Sequence, residues 1–153
     1  RYNWYNTDQA TNGGAVGSGD DKNNTYSWYN GSADDGGDIC YGYNSSDPST
    51  FCNTEAYVNR VNTAGLCGAL DWRMPTIKEL ESLVNYGRSN PAIDTSYFLN
   101  AVNSFSSIVW SGSPAADDSD DPWNINFDNG SSWANDRTNY HFNNAVRLVR
   151  SGQ

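Results

Sequence analysis

Basic residues are scarce in this chain: nine Lys and Arg stand against eighteen Asp and Glu in 153 residues, a formal net charge of −9. That balance argues against nucleic acid, heparin-like polyanions and anionic membrane as partners, since each needs a cationic surface. Histidine and methionine occur once each. With His141 standing alone between Tyr140 and Phe142, there is no histidine pair for a metal or a proton relay. A Walker loop, a Cys-x-x-Cys pair and a His-Glu-x-x-His helix are all missing, so the reading is a non-enzyme. No apolar run approaches the roughly 18 residues of a membrane span, and direct insertion of this segment into a bilayer is not expected. Heptad and collagen-like repeats, which would enforce an oligomer, are absent too. The chain opens at Arg1 without an initiator Met or a signal peptide. We read it as a processed product or a fragment, with any anchor, pilin-type helix or stalk lying upstream.

Aliphatic residues are also few. Hydrophobic residues make up 37% of the chain and aromatics 14%, so six Trp and ten Tyr must do packing that Leu and Ile do elsewhere. Asn, Ser, Gly and Asp fill the rest, which suits many turns and a loop-rich fold. The length is enough for one domain with a real core. Residues 1–153 are therefore expected to form a single α+β domain, with 1–21 as an N-terminal extension or a link to an upstream segment.

The densest run of local signals is Leu70-Asp71-Trp72-Arg73-Met74-Pro75-Thr76-Ile77-Lys78-Glu79-Leu80. Thr76 followed by Glu79 fits a capping box, and Pro75 holds Met74 extended before it. Ile77, Leu80, Leu83 and Val84 recur at helical spacing, and Gly87 is the expected stop. Trp72 and Arg73 thus sit at a forced strand-to-helix corner, with Trp72 expected in the core and Arg73 tying down carbonyls or a carboxylate. An earlier helix should start at Asn53 as N-cap, bury Tyr57 and Val61, and stop at Gly65. That helix would separate Cys52 from Cys67 by roughly 15 Å, which favours a Cys40–Cys52 disulfide over Cys52–Cys67. Cys67 is then expected to be buried and free, and the odd count leaves an intermolecular bond open.

From Ser106 the pattern changes to strands. Ser107–Ser111 is expected as one, and Trp123–Asp128 as a second that alternates Trp123, Ile125 and Phe127. Asp128-Asn129-Gly130 reads as a hairpin turn into Ser132–Ala134, and Ala145–Arg150 as the last strand. Upstream, Thr25–Tyr29 reads as a short strand, and Tyr97-Phe98-Leu99 as an apolar plug.

Several of these motifs carry a family resemblance. Cys52-Asn53-Thr54-Glu55-Ala56-Tyr57-Val58, Asn62-Thr63-Ala64-Gly65-Leu66-Cys67-Gly68, and Asp71-Trp72-Arg73-Met74-Pro75-Thr76 with Glu79-Leu80 resemble the Lcl-type C-terminal domain. Lys22–Asn30, Asn90-Pro91-Ala92-Ile93-Asp94 and Val146–Gln153 extend the match in the same order. This family closes bacterial surface proteins, among them a collagen-like adhesin. The resemblance implies a C-type-lectin-like fold with two helices and a twisted, mainly antiparallel sheet in which an early strand, here Thr25–Tyr29, pairs with the last. It also implies an extracellular or cell-surface location and a role in adhesion or ligand binding. The adhesin's association with sulfated glycans does not suit a chain this acidic. Its trimeric state would imply a homo-oligomer. The Arg73-Met74-Pro75-Thr76-Ile77-Lys78-Glu79 element is similar to one in formylglycine-generating enzymes, which share that fold. Their oxidase chemistry needs a late cysteine pair, and no cysteine follows Cys67 here.

Function is expected between Trp110 and Asn144, where Trp, Tyr, Asn, Ser, Asp and Gly concentrate. Rigid aromatics with small polar neighbours make adaptable binding surfaces. The expected ligand-binding residues are Trp133, Asn135, Asp136, Tyr140 and His141, and the expected partner is a glycan or protein on another cell or surface. Trp133-Ala134-Asn135-Asp136 is similar to the Trp-Asn-Asp signature of calcium-dependent lectins, with one residue inserted. No cofactor is required by the sequence. Calcium is the ion its carboxylates could take, at Asp117, Asp118, Asp120 and Asp121, with Asp34, Asp35 and Asp38 as a second acidic loop. The alternative reading is structural: a subunit of an extracellular fibre or pilus, with the aromatic surface meeting neighbouring copies.

Overall fold

Both helices begin where a side chain caps them. Asn53 Oδ1 accepts from the Ala56 amide at 2.8 Å and opens α1 (Thr54–Thr63), which buries Thr54, Ala56, Tyr57 and Val61. Thr76 Oγ1 accepts from the Glu79 amide while the Glu79 carboxylate accepts from the Thr76 amide, a complete capping box that opens α2 (Ile77–Glu81). The structure is a computed structural model that describes residues 2–6 (as backbone), 26–29, 40, 42–98, 107–134 and 144–152.

Two helix-related expectations are corrected. α2 is a short helix that ends at Ser82, and Gly87 does not stop it. The following amides bond three residues back, Leu83 to Leu80 and Val84 to Glu81, and Asn85 then donates to Ala92. Val84 forms a bridge with Ile93, so the chain gives its backbone donors to a neighbouring segment instead of a further helical turn. Cys67 is free but exposed rather than buried. After α1 the chain passes through positive φ at Gly65 (+62°), Cys67 (+53°) and Gly68 (+72°), and this tight turn carries the thiol outward. The disulfide joins Cys40 to Cys52 across a sequence separation of 12. A loop of that size contributes roughly 2–3 kcal/mol by restricting the unfolded chain.

The strands form two sheets. β2 (Ile108–Pro114), β3 (Pro122–Asn126) and β4 (Ser131–Ala134) pair antiparallel in chain order. β1 (Tyr2–Asn6) pairs antiparallel with β5 (Arg147–Ser151), Trp4 opposite Val149. The early partner of the last strand is therefore Tyr2–Asn6, from the stretch read as an extension, and not Thr25–Tyr29. Tyr26 instead exchanges both backbone bonds with Asn144, and Ser27 bridges Asn53 beside the start of α1. Partners so far apart in sequence leave no local pattern to identify them.

The corner before α2 straps the two sheets. Arg73 exchanges backbone bonds with Val149 of β5, and Gly112 of β2 donates to Pro75 O at 2.7 Å. A Cβ on Gly112 would lie 2.9 Å from Met74 Cβ, so the backbones approach closely only because residue 112 has no side chain. Asn62 of α1 grips the same corner, accepting from the Trp72 amide and donating to the Trp72 carbonyl.

The apolar core has two parts. One gathers Tyr26, Trp28, Cys40, Cys52, Tyr57, Val61, Ala69, Trp72, Trp110, Val146 and Leu148. The other gathers Leu80, Ile93, Val109, Ile125, Phe127 and Ala145. Adjacent residues of β2, Val109 and Trp110, serve different clusters, as the two-residue period of a strand requires. Trp72 and Trp110 are core, while Trp123 is half-buried. Tyr97 departs from the expected plug and stands exposed; Phe98 is half-buried against the second cluster.

Candidate functional site

Trp110, Asn124 and Trp133 stand directly opposite one another across β2, β3 and β4. Directly opposed residues of antiparallel strands point to the same face, so the three form one row. Its inner end is Trp110, 1% exposed, whose Nε1 donates to Tyr26 O at 2.7 Å. Its outer end is Trp133, half-buried on β4, the last strand of the sheet. Between them Asn124 is fully buried, and neither its amide nitrogen nor its amide oxygen has a hydrogen-bond partner. A buried polar group left in that state costs about 1–3 kcal/mol. Asn144 Nδ2 is likewise buried without a partner. Ala145 opposes Val109 in a parallel bridge and faces the aliphatic side with it, which places Asn144 on the Trp110 face.

The loop between β2 and β3 carries the four aspartates. Asp117, Asp118 and Asp120 are exposed and Asp121 is half-buried. Asp118 Oδ1 accepts from the Asp120 amide, and Ala115 donates to Asp121 O to close the loop. Among the described residues, no three His, Cys, Asp or Glu side chains gather as a metal site would require. Asn135, Asp136, Tyr140 and His141 lie outside the described residues, as do Asp34, Asp35 and Asp38, so Trp133 is the described member of the expected ligand set.

The corner residues form an electrostatic lock instead of a cleft. Arg73 Nη1 and Nη2 grip the two Glu79 carboxylate oxygens at 2.9 and 2.7 Å, and Nη1 also donates to Met74 O. The Arg73 hydrogen bond is the main cause that lowers the Glu79 carboxyl from 4.5 to about 2, helped by the Thr76 amide. The other described cations are engaged as well. Lys78 pairs with Glu81, Arg88 with Asp94 and Arg150 with Asp71, while Arg147 is buried with Phe98 and Phe127 against its guanidinium.

A concave site lies elsewhere, between α1 and the disulfide-closed loop. A groove of about 620 Å³ is walled by Tyr29, Pro48, Phe51 and Ala56, with Glu55, Asn59, Arg60 and Thr63 along the helix side. Arg60 Nη1 donates to Ser49 O at 2.8 Å and to Phe51 O at 3.0 Å. Nothing in the sequence marks this groove, because Arg60 and Asn59 look like ordinary solvent-facing residues of an amphipathic helix. Asn124 was not legible either: with Trp123, Ile125 and Phe127 alternating on one face, Asn124 falls with Asn126 on the other, where polar residues ordinarily meet solvent.

The family model of the Lcl C-terminal domain matches residues 4–150. Neither the curated proteins nor the solved structures yield a match.

Proposed function

The chain belongs to the Lcl C-terminal domain family, and from that premise we propose that it is a non-catalytic, extracellular ligand-binding or adhesion domain of a bacterial surface protein. The fold is read as C-type-lectin-like. The pairing of β1 with β5, which brings the two ends of the described chain together, supports that reading. No described helix is long and apolar enough to cross a membrane.

The observation that carries the binding reading is the Trp110–Asn124–Trp133 row. Trp133 is the accessible end of the row, a half-buried indole backed by a buried amide with no internal partner and by a second indole held in the core. Sugar rings and protein hot spots call for that combination. Asn135, Asp136, Tyr140 and His141 follow Trp133 directly in the chain and are proposed to complete the surface, with glycan or protein on another surface as ligand. The acidic loop Asp117–Asp121 is proposed as its rim, with calcium as the ion it would take.

The test is a panel of immobilised neutral glycans and matrix proteins, read by biolayer interferometry. At least one member should bind the wild-type chain, and Trp133→Ala should weaken that binding tenfold or more with little change in melting temperature. A variant that binds as the wild type does would move the site away from this row. The fibre-subunit reading is favoured by one observation: among the described strands β4 pairs only with β3, at the end of its sheet. Sizing across concentration separates the two, since a strict monomer excludes assembly through that edge.

A further inference from the structure

We propose that the groove between α1 and the 48–51 turn is a second binding site, separate from the late sheet, that takes the C-terminal carboxylate of a peptide ending in an apolar residue. Arg60 is the anchor of the site. Its Nη1 donates to both Ser49 O and Phe51 O, which uses both hydrogens on that nitrogen. The guanidinium is thereby held in place against the loop, with Tyr57 packed 6.0 Å from it. The Nε–Nη2 edge has no hydrogen bond among the described residues. That edge presents two parallel N–H donors, the arrangement that matches a carboxylate side-on.

Burial and charge narrow the ligand further. Tyr29, Pro48, Phe51 and Ala56 give the groove apolar walls, which suit an apolar or aromatic side chain. The side chains of Asn59 and Glu55, which also line it, make no hydrogen bond among the described residues. They are placed to receive the amide groups of a peptide backbone. A volume of about 620 Å³ falls within the range of small-ligand pockets and admits a few residues rather than a polymer. Arg60 is the single cation in the lining of a chain with net charge −9. A lone carboxylate preceded by neutral or basic residues satisfies both the local cation and the negative field around it, whereas a polyanion does not. The Cys40–Cys52 bond closes the loop that carries Pro48 and Phe51, so the wall is preset before a ligand arrives.

The probes are N-acetyl-Gly-Phe as the free acid and the same dipeptide as its C-terminal amide, titrated into the whole chain by calorimetry. The free acid should bind at least tenfold more tightly than the amide. Arg60→Lys should reduce that preference several-fold, because an ammonium keeps the charge but offers no fork. Since Arg60 also clamps the loop, Thr63→Trp serves as a second variant: an exposed helical position where an indole would fill the groove and leave the clamp intact. It should lower affinity tenfold or more, and Trp133→Ala should leave affinity unchanged. Equal binding of acid and amide, no binding of either, or insensitivity to Thr63→Trp would overturn the proposal. Loss of binding in Trp133→Ala would overturn it too, by placing the peptide on the late sheet. Displacement of the dipeptide by free glucuronate at equal concentration would show a carboxylated-sugar site and overturn the peptide assignment.

Discussion

The two faces of the β2–β3–β4 sheet are built from different materials. The Val109 face is mostly aliphatic: Leu80, Ile93, Val109, Ile125, Phe127 and Ala145 pack there, with the buried Arg147 guanidinium against Phe127 as the polar group beside them. The Trp110 face is aromatic, and its indoles donate to backbone carbonyls. Trp28 Nε1 donates to Ser111 O, Trp110 Nε1 to Tyr26 O and Trp72 Nε1 to Leu66 O. The buried amides without partners, Asn124 and Asn144, lie on the aromatic face. The groove of Arg60 is also on that side, behind α1, whose Tyr57 and Val61 belong to the aromatic cluster. The difference teaches a division of labour. An aliphatic cluster gains from area alone, whereas an aromatic one with polar handles can be specific, and binding groups can be placed at its margins.

The hardest test of that contrast is Trp110→Ala. It should cost about 3–5 kcal/mol in chemical denaturation, because it empties a large core volume and also removes the indole bond to Tyr26 O, leaving that carbonyl the Asn144 amide. A cost below about 1 kcal/mol would mean that the aromatic face is not a core at all.

A smaller effect probes the corner that joins the two faces. The Glu79 carboxyl is lowered from 4.5 to about 2 in the folded protein, first by the Arg73 hydrogen bond. A depressed folded value means that ionised Glu79 stabilises the fold fully above about pH 4.5. That contribution is lost as pH falls through the window toward 2. With Arg73 nearly half exposed, solvent screening holds it to about 1–3 kcal/mol. Glu79→Gln should flatten the acid limb of a melting-temperature profile between those values. An unchanged limb would show that the lock contributes nothing.

The smallest effect sharpens the comparison most. Asn124→Leu replaces an unpartnered buried amide by an apolar group of similar volume and should leave stability within about 1 kcal/mol, in the stabilising direction. It makes the aromatic face resemble the aliphatic one, and ligand binding by the row should fall with it. A loss above about 2 kcal/mol would assign Asn124 a structural partner, such as an internal water, and remove it from the binding surface.

What the sequence determined by itself was local. Asn53 and Thr76 cap their helices because a capping side chain acts on amides two or three residues ahead, and nothing distant can change that distance. Gly65 ends α1 for the same reason, since its φ of +62° strains any residue with a Cβ. The tertiary structure decided the rest. Which early segment joins β5 and which tryptophans are core both depend on segments brought together from far along the chain. The Trp28 indole meets its acceptor 83 residues away, and Trp110 meets its own at 84. The two candidate sites belong to the same class. Asn124 is one polar residue in a strand until three strands align it between two indoles. Arg60 is a surface arginine until the loop closed by Cys40–Cys52 takes up its Nη1 and leaves the other edge open. Burial and residual hydrogen-bonding capacity are properties of the packed neighbourhood, and no residue carries them alone.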